Sequence, residues 1–320
     1  MSWHICFAAS NMIGLGHLIR CRALIQQMNA PVEKVWIFTD MSKELIGLYL
    51  SELGPEIVLL PVDTVQLPLS QLPRKILIDM PSPPPSLLEQ LSRVKNKVLL
   101  GCSDERMKWA NLVVNVAEGG SLSRREFQYD RTIVWEGAAF ALLRQEFLGG
   151  RKFPYNPLGP LLVVVGGTDA ARLSLHVTHI LLDSPSFVTR RVHTVCGRAH
   201  PDRIALESLA TGDSRLTLSE PSVQIANWMQ EASAIVLAPG NLLFEAMSLE
   251  APALALFQNE RQRSDFSQYP WLGDPTQSSS WQARLELLLG NDLEGWRRYA
   301  RDAQAGKAAS ALIDWIEHSV

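Results

Sequence analysis

An imidazole stands directly behind two glycines in Gly14-Leu15-Gly16-His17, between an apolar run, Ile5 to Ala9, and a segment over 18–28 with helical apolar spacing. That order predicts strand, glycine turn and helix. Gly14 and Gly16 let the backbone turn sharply and approach a ligand closely. At the carboxyl edge of a first parallel strand, free N–H groups and the positive end of the helix dipole suit a phosphate-bearing ligand. A histidine, with an ordinary pKa of about 6.5, is substantially neutral at pH 7 and can take a proton from water. Ile19 stands where the dinucleotide fingerprint needs a third small residue, which weakens a dinucleotide site although Asp40 ends the next strand.

Three later stretches could hold a nucleotide diphosphate. Gly166-Gly167-Thr168-Asp169 ends an apolar strand and precedes a helix. Ala238-Pro239-Gly240-Asn241 does the same, with Asn241 as the expected N-cap. Glu245, one turn further in, is either a solvated helix residue or a carboxylate that accepts hydrogen bonds from ribose hydroxyls. Gln258-Asn259-Glu260-Arg261-Gln262 follows a strand where a ligand crevice should open. No two aspartates are separated by one residue, so the pattern that holds a divalent cation on a nucleotide diphosphate is absent. No metal or other cofactor is expected.

The elements that must position these residues alternate. Strands are expected over 35–40, 57–61, 75–79, 98–101, 112–116 and 132–135, with helices over 43–52 and 87–94 between them. Met80-Pro81-Ser82-Pro83-Pro84-Pro85 is a stiff connection, either a spacer or a loop shaping the site. Glycines and prolines crowd 149–160, which sets the expected domain boundary: 1–148 and 149–320. The second half repeats the alternation and ends in helices over 281–289, 293–304 and 308–317. The fold class predicted is α/β, two Rossmann-like doubly wound domains facing across a cleft.

At 320 residues the chain suits two cores of about 150 residues each. A net charge of −3 argues against nucleic acid as a partner, and no apolar run reaches the roughly 18 residues that span a bilayer. Cys6, Cys21, Cys102 and Cys196 are scattered, without zinc-site spacing, and Cys6 and Cys196 fall in strand-like runs that should be core. No signal core follows the first residues. A monomeric cytoplasmic protein without membrane insertion is expected.

Taken in order, G-L-G-H-L-I-R at 14–20, A-L-L-R-Q-E-F at 141–147, V-V-V-G-G-T-D at 163–169, A-P-G-N-L-L-F-E-A at 238–246 and Q-N-E-R-Q at 258–262 resemble the nucleotide-sugar hydrolases of the pseudaminic acid pathway. Those enzymes remove UDP from a 2,4-diacetamido-2,4,6-trideoxyhexose and are similar to glycosyltransferases of the two-Rossmann-domain (GT-B) type, including the one that extends lipid-linked muramyl-pentapeptide. The resemblance implies a UDP-sugar substrate and His17 as catalytic base, with Gly14 and Gly16 shaping its turn. It assigns Asp79 to the substrate, Gly166 and Gly167 to the diphosphate, Gly240 and Asn241 to the phosphate-facing helix, Glu245 to ribose, and Asn259 or Gln262 to the nucleotide. Arg144 is read as structural.

Two departures stand out. Asp79 is followed by Met80-Pro81-Ser82, where the family carries histidine and a sugar-facing tyrosine, and Pro239-Gly240-Asn241-Leu242 replaces its glycine-glycine-serine-threonine. Water attack at the anomeric carbon, with His17 as base and UDP leaving, is the reaction expected. The alternatives are a GT-B glycosyltransferase and a nucleotide-sugar-binding protein without turnover.

Overall fold

The computed structural model describes residues 2–50, 52–80, 82–118, 122–166, 169, 171–197 and 200–319. Their contacts form two units, Met1–Leu142 with Gly306–Val320, and Leu143–Ala305.

The first unit carries strands β1 (Trp3–Ala8), β2 (Val32–Phe38), β3 (Glu56–Leu60), β4 (Lys75–Asp79), β5 (Asn96–Leu100), β6 (Leu112–Asn115), β7 (Arg125–Tyr129) and β8 (Thr132–Glu136). Among the described residues these make one sheet of order β3-β2-β1-β4-β5-β6-β8-β7, parallel except for the β7–β8 hairpin. Helices α1 (Gly16–Gln27), α2 (Lys43–Leu50) and α3 (Pro85–Gln90) connect its strands.

Strand period decides which face each side chain serves. Trp3, Ile5 and Phe7 point into one core with Leu18, Cys21 and Leu24 of α1 and Ile46 and Leu50 of α2. Cys6 and Ala8 point into the other, with Leu87 and Leu88 of α3. Covered on both faces, β4 has every residue buried, and its centre, Ile76-Leu77-Ile78, is apolar without alternation between the charged ends Lys75 and Asp79.

The second unit carries β9 (Leu161–Val164), β10 (Val192–Val195), β11 (Leu216–Ser219), β12 (Ala234–Leu237), β13 (Ala253–Leu256) and β14 (Leu272–Gly273). These form a parallel sheet of order β11-β10-β9-β12-β13-β14. Around them run α4 (Leu173–Asp183), α5 (Arg203–Gly212), α6 (Ile225–Glu231), α7 (Asn241–Ser248), α8 (Glu260–Asp265), α9 (Ser278–Leu289) and α10 (Leu293–Ala303).

The boundary expected at 148/149 falls instead at 142/143, and the last helix, α11 (Ala309–His318), belongs to the first unit. Leu312 and Ile316 enter the core of Trp3, the Trp3 indole N–H donates to the Ile316 carbonyl at 3.1 Å, and Lys75 Nζ donates to the Ser319 carbonyl. Such a return of the chain leaves no local sign at the breaker-rich stretch over 149–160.

In both sheets the strand order reverses beside the first strand, between β1 and β4 and between β9 and β12. Ligands of open α/β sheets bind outside the carboxyl ends of the strands at such points.

The second sheet also depends on one close approach. A Cβ on Gly159 would lie 2.0 Å from the Glu231 carbonyl oxygen and 2.9 Å from the Ser233 amide nitrogen. Gly159→Ala is therefore expected to destabilise the protein by about 1–3 kcal/mol, measured as a lower urea midpoint; an unchanged midpoint would refute the close packing.

Candidate active site

The turn after β1 is held by its own backbone and by a neighbouring loop. The Gly14 amide donates to the Ser10 carbonyl at 2.7 Å, the Ile13 amide to Ser10 Oγ at 3.0 Å, and the Asn11 amide to Asp40 Oδ1 at 2.9 Å. Asp40 thus ties two loops together. Gly14 has φ +85°, a left-handed conformation that favours glycine. Gly16 opens α1, and no side chain caps the helix.

His17 is the second residue of α1 and its side chain is 16% exposed. Its Nδ1 lies 2.6 Å from Asp79 Oδ1, at the carboxyl end of β4. Arg20 Nε donates to Asp79 Oδ2 at 2.6 Å, Arg20 Nη2 donates to Oδ1, and Cys21 Sγ donates to Oδ2 at 3.4 Å. Residues 17, 20 and 21 share one face of α1, one turn apart, so a single helix face supplies every one of these donors.

Asp79 is fully buried. Burial alone would push its carboxyl up, but Arg20 and then His17 hold it well below the usual carboxylate range. The pairing in turn keeps Arg20 firmly charged in spite of its burial. An ionised carboxylate only accepts, so His17 Nδ1 must donate. Arg20 Nη2, 3.2 Å from Nδ1, is a close neighbour and not a donor to it. In the neutral imidazole that assignment puts the lone pair on Nε2. Asp79, which the resemblance assigns to substrate, has no exposed surface here, and both of its oxygens are engaged by His17, Arg20 and Cys21.

Sequence reasoning missed Arg20 and Cys21, although their i+3 and i+4 spacing from His17 was a usable signal. It also missed Gly101 and Glu118. Gly101 has φ +77°, and a Cβ there would lie 2.6 Å from Glu118 Oε1 and 3.5 Å from Arg20 Nη2. The bare glycine makes room for both.

In the second unit Gly166 follows β9 with φ +128°, while Gly167 lies outside the described residues. Asp169 accepts from the Leu173 and Ser174 amides at 2.8 and 2.7 Å, so the first turn of α4 already carries a carboxylate cap. His200 Nε2 also lies 2.9 Å from Asp169 Oδ2. Burial opposes ionisation of Asp169, but these hydrogen bonds hold its carboxyl below the usual range.

Helix α7 differs. Gly240, with φ +150°, is its N-cap and brings no side chain of its own to cap it. The expected capping role of Asn241 is corrected, since Asn241 is the first helical residue.

Glu245 is 1% exposed, and Arg144 grips both of its oxygens at 2.7 Å through Nε and Nη2. Burial pushes the Glu245 carboxyl up, with Arg144 opposing. The carboxylate expected at ribose is therefore turned onto Arg144 here.

Gln262 and Asn259 serve the surrounding loops. Gln262 Nε2 donates to the Pro239 carbonyl at 2.9 Å and its Oε1 accepts from the Gln258 amide at 2.7 Å. Asn259 Oδ1 caps α8 by accepting from the Gln262 amide at 3.0 Å. Gln258 Nε2 reaches the Val165 carbonyl at 3.2 Å, so the loops after β9, β12 and β13 are knitted together beside α7. All four cysteines are buried and free. Among the described residues, no group of three or more His, Cys, Asp or Glu is placed to hold a metal ion, and no helix is long and apolar enough to cross a membrane.

No family model matches the sequence. An uncharacterized protein of Methanocaldococcus jannaschii is 26% identical over 172 residues, 51% of this chain but 35% of that protein, so the match spans about a third of the relative. The spore coat polysaccharide biosynthesis protein SpsG of Bacillus subtilis is 24% identical over 260 residues, 78% of this chain and 75% of SpsG.

Solved structures align over nearly the whole length. A calicheamicin glycosyltransferase has TM-score 0.62 at 14% identity, covering 99% of this chain and 98% of its own. MurG of Acinetobacter baumannii has TM-score 0.60 at 13% identity, covering 99% of each. The chain has the GT-B fold. UDP-GlcNAc 2-epimerase of Neisseria meningitidis, solved with UDP-GlcNAc bound, shares it at TM-score 0.55 and 12% identity over 100% of each chain. In this GT-B chain both candidate clusters occupy the strand-order reversals of their sheets.

The ion pair behind His17 has a measurable cost when halved. Arg20→Met leaves a buried carboxylate without its cation and is expected to destabilise the fold by about 3–5 kcal/mol at pH 7. The stability that Asp79 contributes is complete above its unfolded pKa of 3.8 and is lost as pH falls towards its depressed folded value. The gap between variant and native chain should therefore shrink below about pH 4. Urea titrations at both pH values check this, and a gap that widens on acidification would refute the assigned pairing.

Proposed function

We propose that the protein hydrolyses a UDP-linked amino or deoxyamino sugar without a metal ion, as a divergent cytoplasmic member of the nucleotide-sugar hydrolases of the pseudaminic acid pathway. The observation that supports this reading is the 2.6 Å contact of His17 Nδ1 with the buried Asp79, which turns Nδ1 inward; in the proposed reaction Nε2 of the neutral imidazole is the proton acceptor. The oxygen of a water forms a bond to the anomeric carbon while its proton passes to Nε2. The bond from that carbon to the phosphate oxygen breaks, and UDP leaves with the electron pair, so the anomeric configuration inverts.

The first turn of α7, opened by Gly240, suits the charge that develops on the leaving diphosphate, because backbone N–H groups and the helix dipole favour an anion there. The capped first turn of α4 is less suited, so Gly240 and Asn241 take the diphosphate in preference to Gly166 and Gly167. For Glu245 to meet ribose, Arg144 must yield it. The likeness to SpsG and to enzymes whose names carry UDP-sugars supports the substrate class.

The test is release of UDP from UDP-linked amino and deoxyamino sugars in the absence of acceptor. Release by the native chain and a loss of about a hundredfold or more in His17→Ala, with UDP affinity unchanged, is expected. Release that needs an added acceptor would make the protein a glycosyltransferase. Recovery of an epimerised sugar nucleotide would also contradict hydrolysis, and UDP binding without product from any donor would leave a binding role.

A further inference from the structure

Strand β7 is the outer edge of the first unit's sheet, and its one neighbour in the strand order is β8. All five of its residues are exposed, Phe127 by 36% and Tyr129 by 38%. The directions of its backbone groups follow from β8. Ile133 and Gly137 donate to the Asn111 and Asn115 carbonyls, on the side of β6. Thr132, Val134 and Glu136 therefore face β7, and their partners Tyr129, Phe127 and Arg125 face back. Glu126 and Gln128 turn their N–H and C=O groups outward, an open ladder edge of the kind that pairs with another strand.

We propose that β7 pairs antiparallel with β7 of a second copy of this chain, about a two-fold axis at Phe127. Outward groups must meet outward groups, which allows Glu126 opposite Glu126, Gln128 opposite Gln128, or Glu126 opposite Gln128. The first sets carboxylate against carboxylate. The second sets Glu126 against Asp130 on both sides of the axis.

In the third, Arg125 meets the Tyr129 ring, Phe127 meets its own copy, and just beyond each end of the ladder Arg124 comes beside Asp130 of the β7–β8 turn. Opposite charges and aromatic pairs directly across strands are favourable, and like charges are not. Charge thus selects one register. The groups are at hand, since Arg124 bonds Glu126 at 2.6 Å and the Arg125 guanidinium lies 5.4 Å from the centre of the Phe127 ring. A ladder of five residues is small beside a standard interface of about 1,200–2,000 Å², so the dimer is reversible. This departs from the monomer expected on the sequence alone and does not depend on the reaction proposed above.

Sedimentation velocity of the full chain across the micromolar range tests it. The native chain should show a reversible monomer–dimer equilibrium. Arg124→Asp places like charges at both ends, as does Asp130→Arg, and each alone should weaken the dimer by roughly tenfold or more. Mixed together, the two variants regain complementary charges and should form a heterodimer near native strength. Phe127→Lys, which sets two cations at the axis, is an independent monomerising variant should Asp130→Arg, at φ +54°, fail to fold. A native chain that stays monomeric, variants that dimerise like the native chain, or a mixture no tighter than its parts would each overturn the proposal.

Discussion

A carboxylate with no exposed surface at the end of a central strand is the constraint on which the first unit's site depends. Ionised Asp79 must be matched by donors, or its burial would cost several kcal/mol. The donors come from His17, Arg20 and Cys21, on one face of α1. That requirement fixes the roll of α1 over the β1–β4 reversal and sets the turn that Gly14 closes. It also turns one imidazole nitrogen, Nδ1, inward onto Asp79. Arg20 supplies the cation that keeps the carboxylate charged, and in the proposed reaction His17 supplies the lone pair. The bare Cα of Gly101 leaves space for Arg20 and Glu118 side by side.

The second unit handles its buried carboxylates in the same way, with different consequences. Asp169 is satisfied by the amides of α4 and by His200, which uses up the helix end that the glycine-rich loop had suggested for phosphate. Glu245, one turn inside α7, is satisfied by Arg144, and the Gly240 N-cap of that helix lies beside three loops cross-linked by Gln258 and Gln262. A polar group engaged by a buried partner is poorly placed to bind ligand until that partner moves. On that physical ground the α7 turn is favoured over the α4 turn as the seat of the diphosphate.

Most of the sheet framework was legible because buried parallel strands write themselves as apolar runs, as β9 and the centre of β4 do. The edge strand β7 was not, since its residues are exposed on both faces and Arg-Glu-Phe-Gln-Tyr carries no buried alternation. His17 was legible from the glycine turn, but the role of Asp79 was not, because its partner Arg20 lies 59 residues away. Glu245 illustrates the same limit more sharply. Helical spacing placed it one turn into α7, yet its burial is decided by Arg144, 101 residues earlier. The return of α11 to the first unit is likewise a long-range packing event, carried by Trp3 and Ile316, that no local breaker announces.

The central claim is that Asp79 fixes the tautomer of His17, and nitrogen NMR of the selectively labelled histidine side chain tests it most directly. At a pH where the imidazole is neutral, the account predicts a protonated Nδ1 and a bare Nε2, with that preference lost in Asp79→Asn. A His17 whose proton sits on Nε2 in the native chain would contradict it, because the nitrogen assigned to accept the proton from water would already carry one.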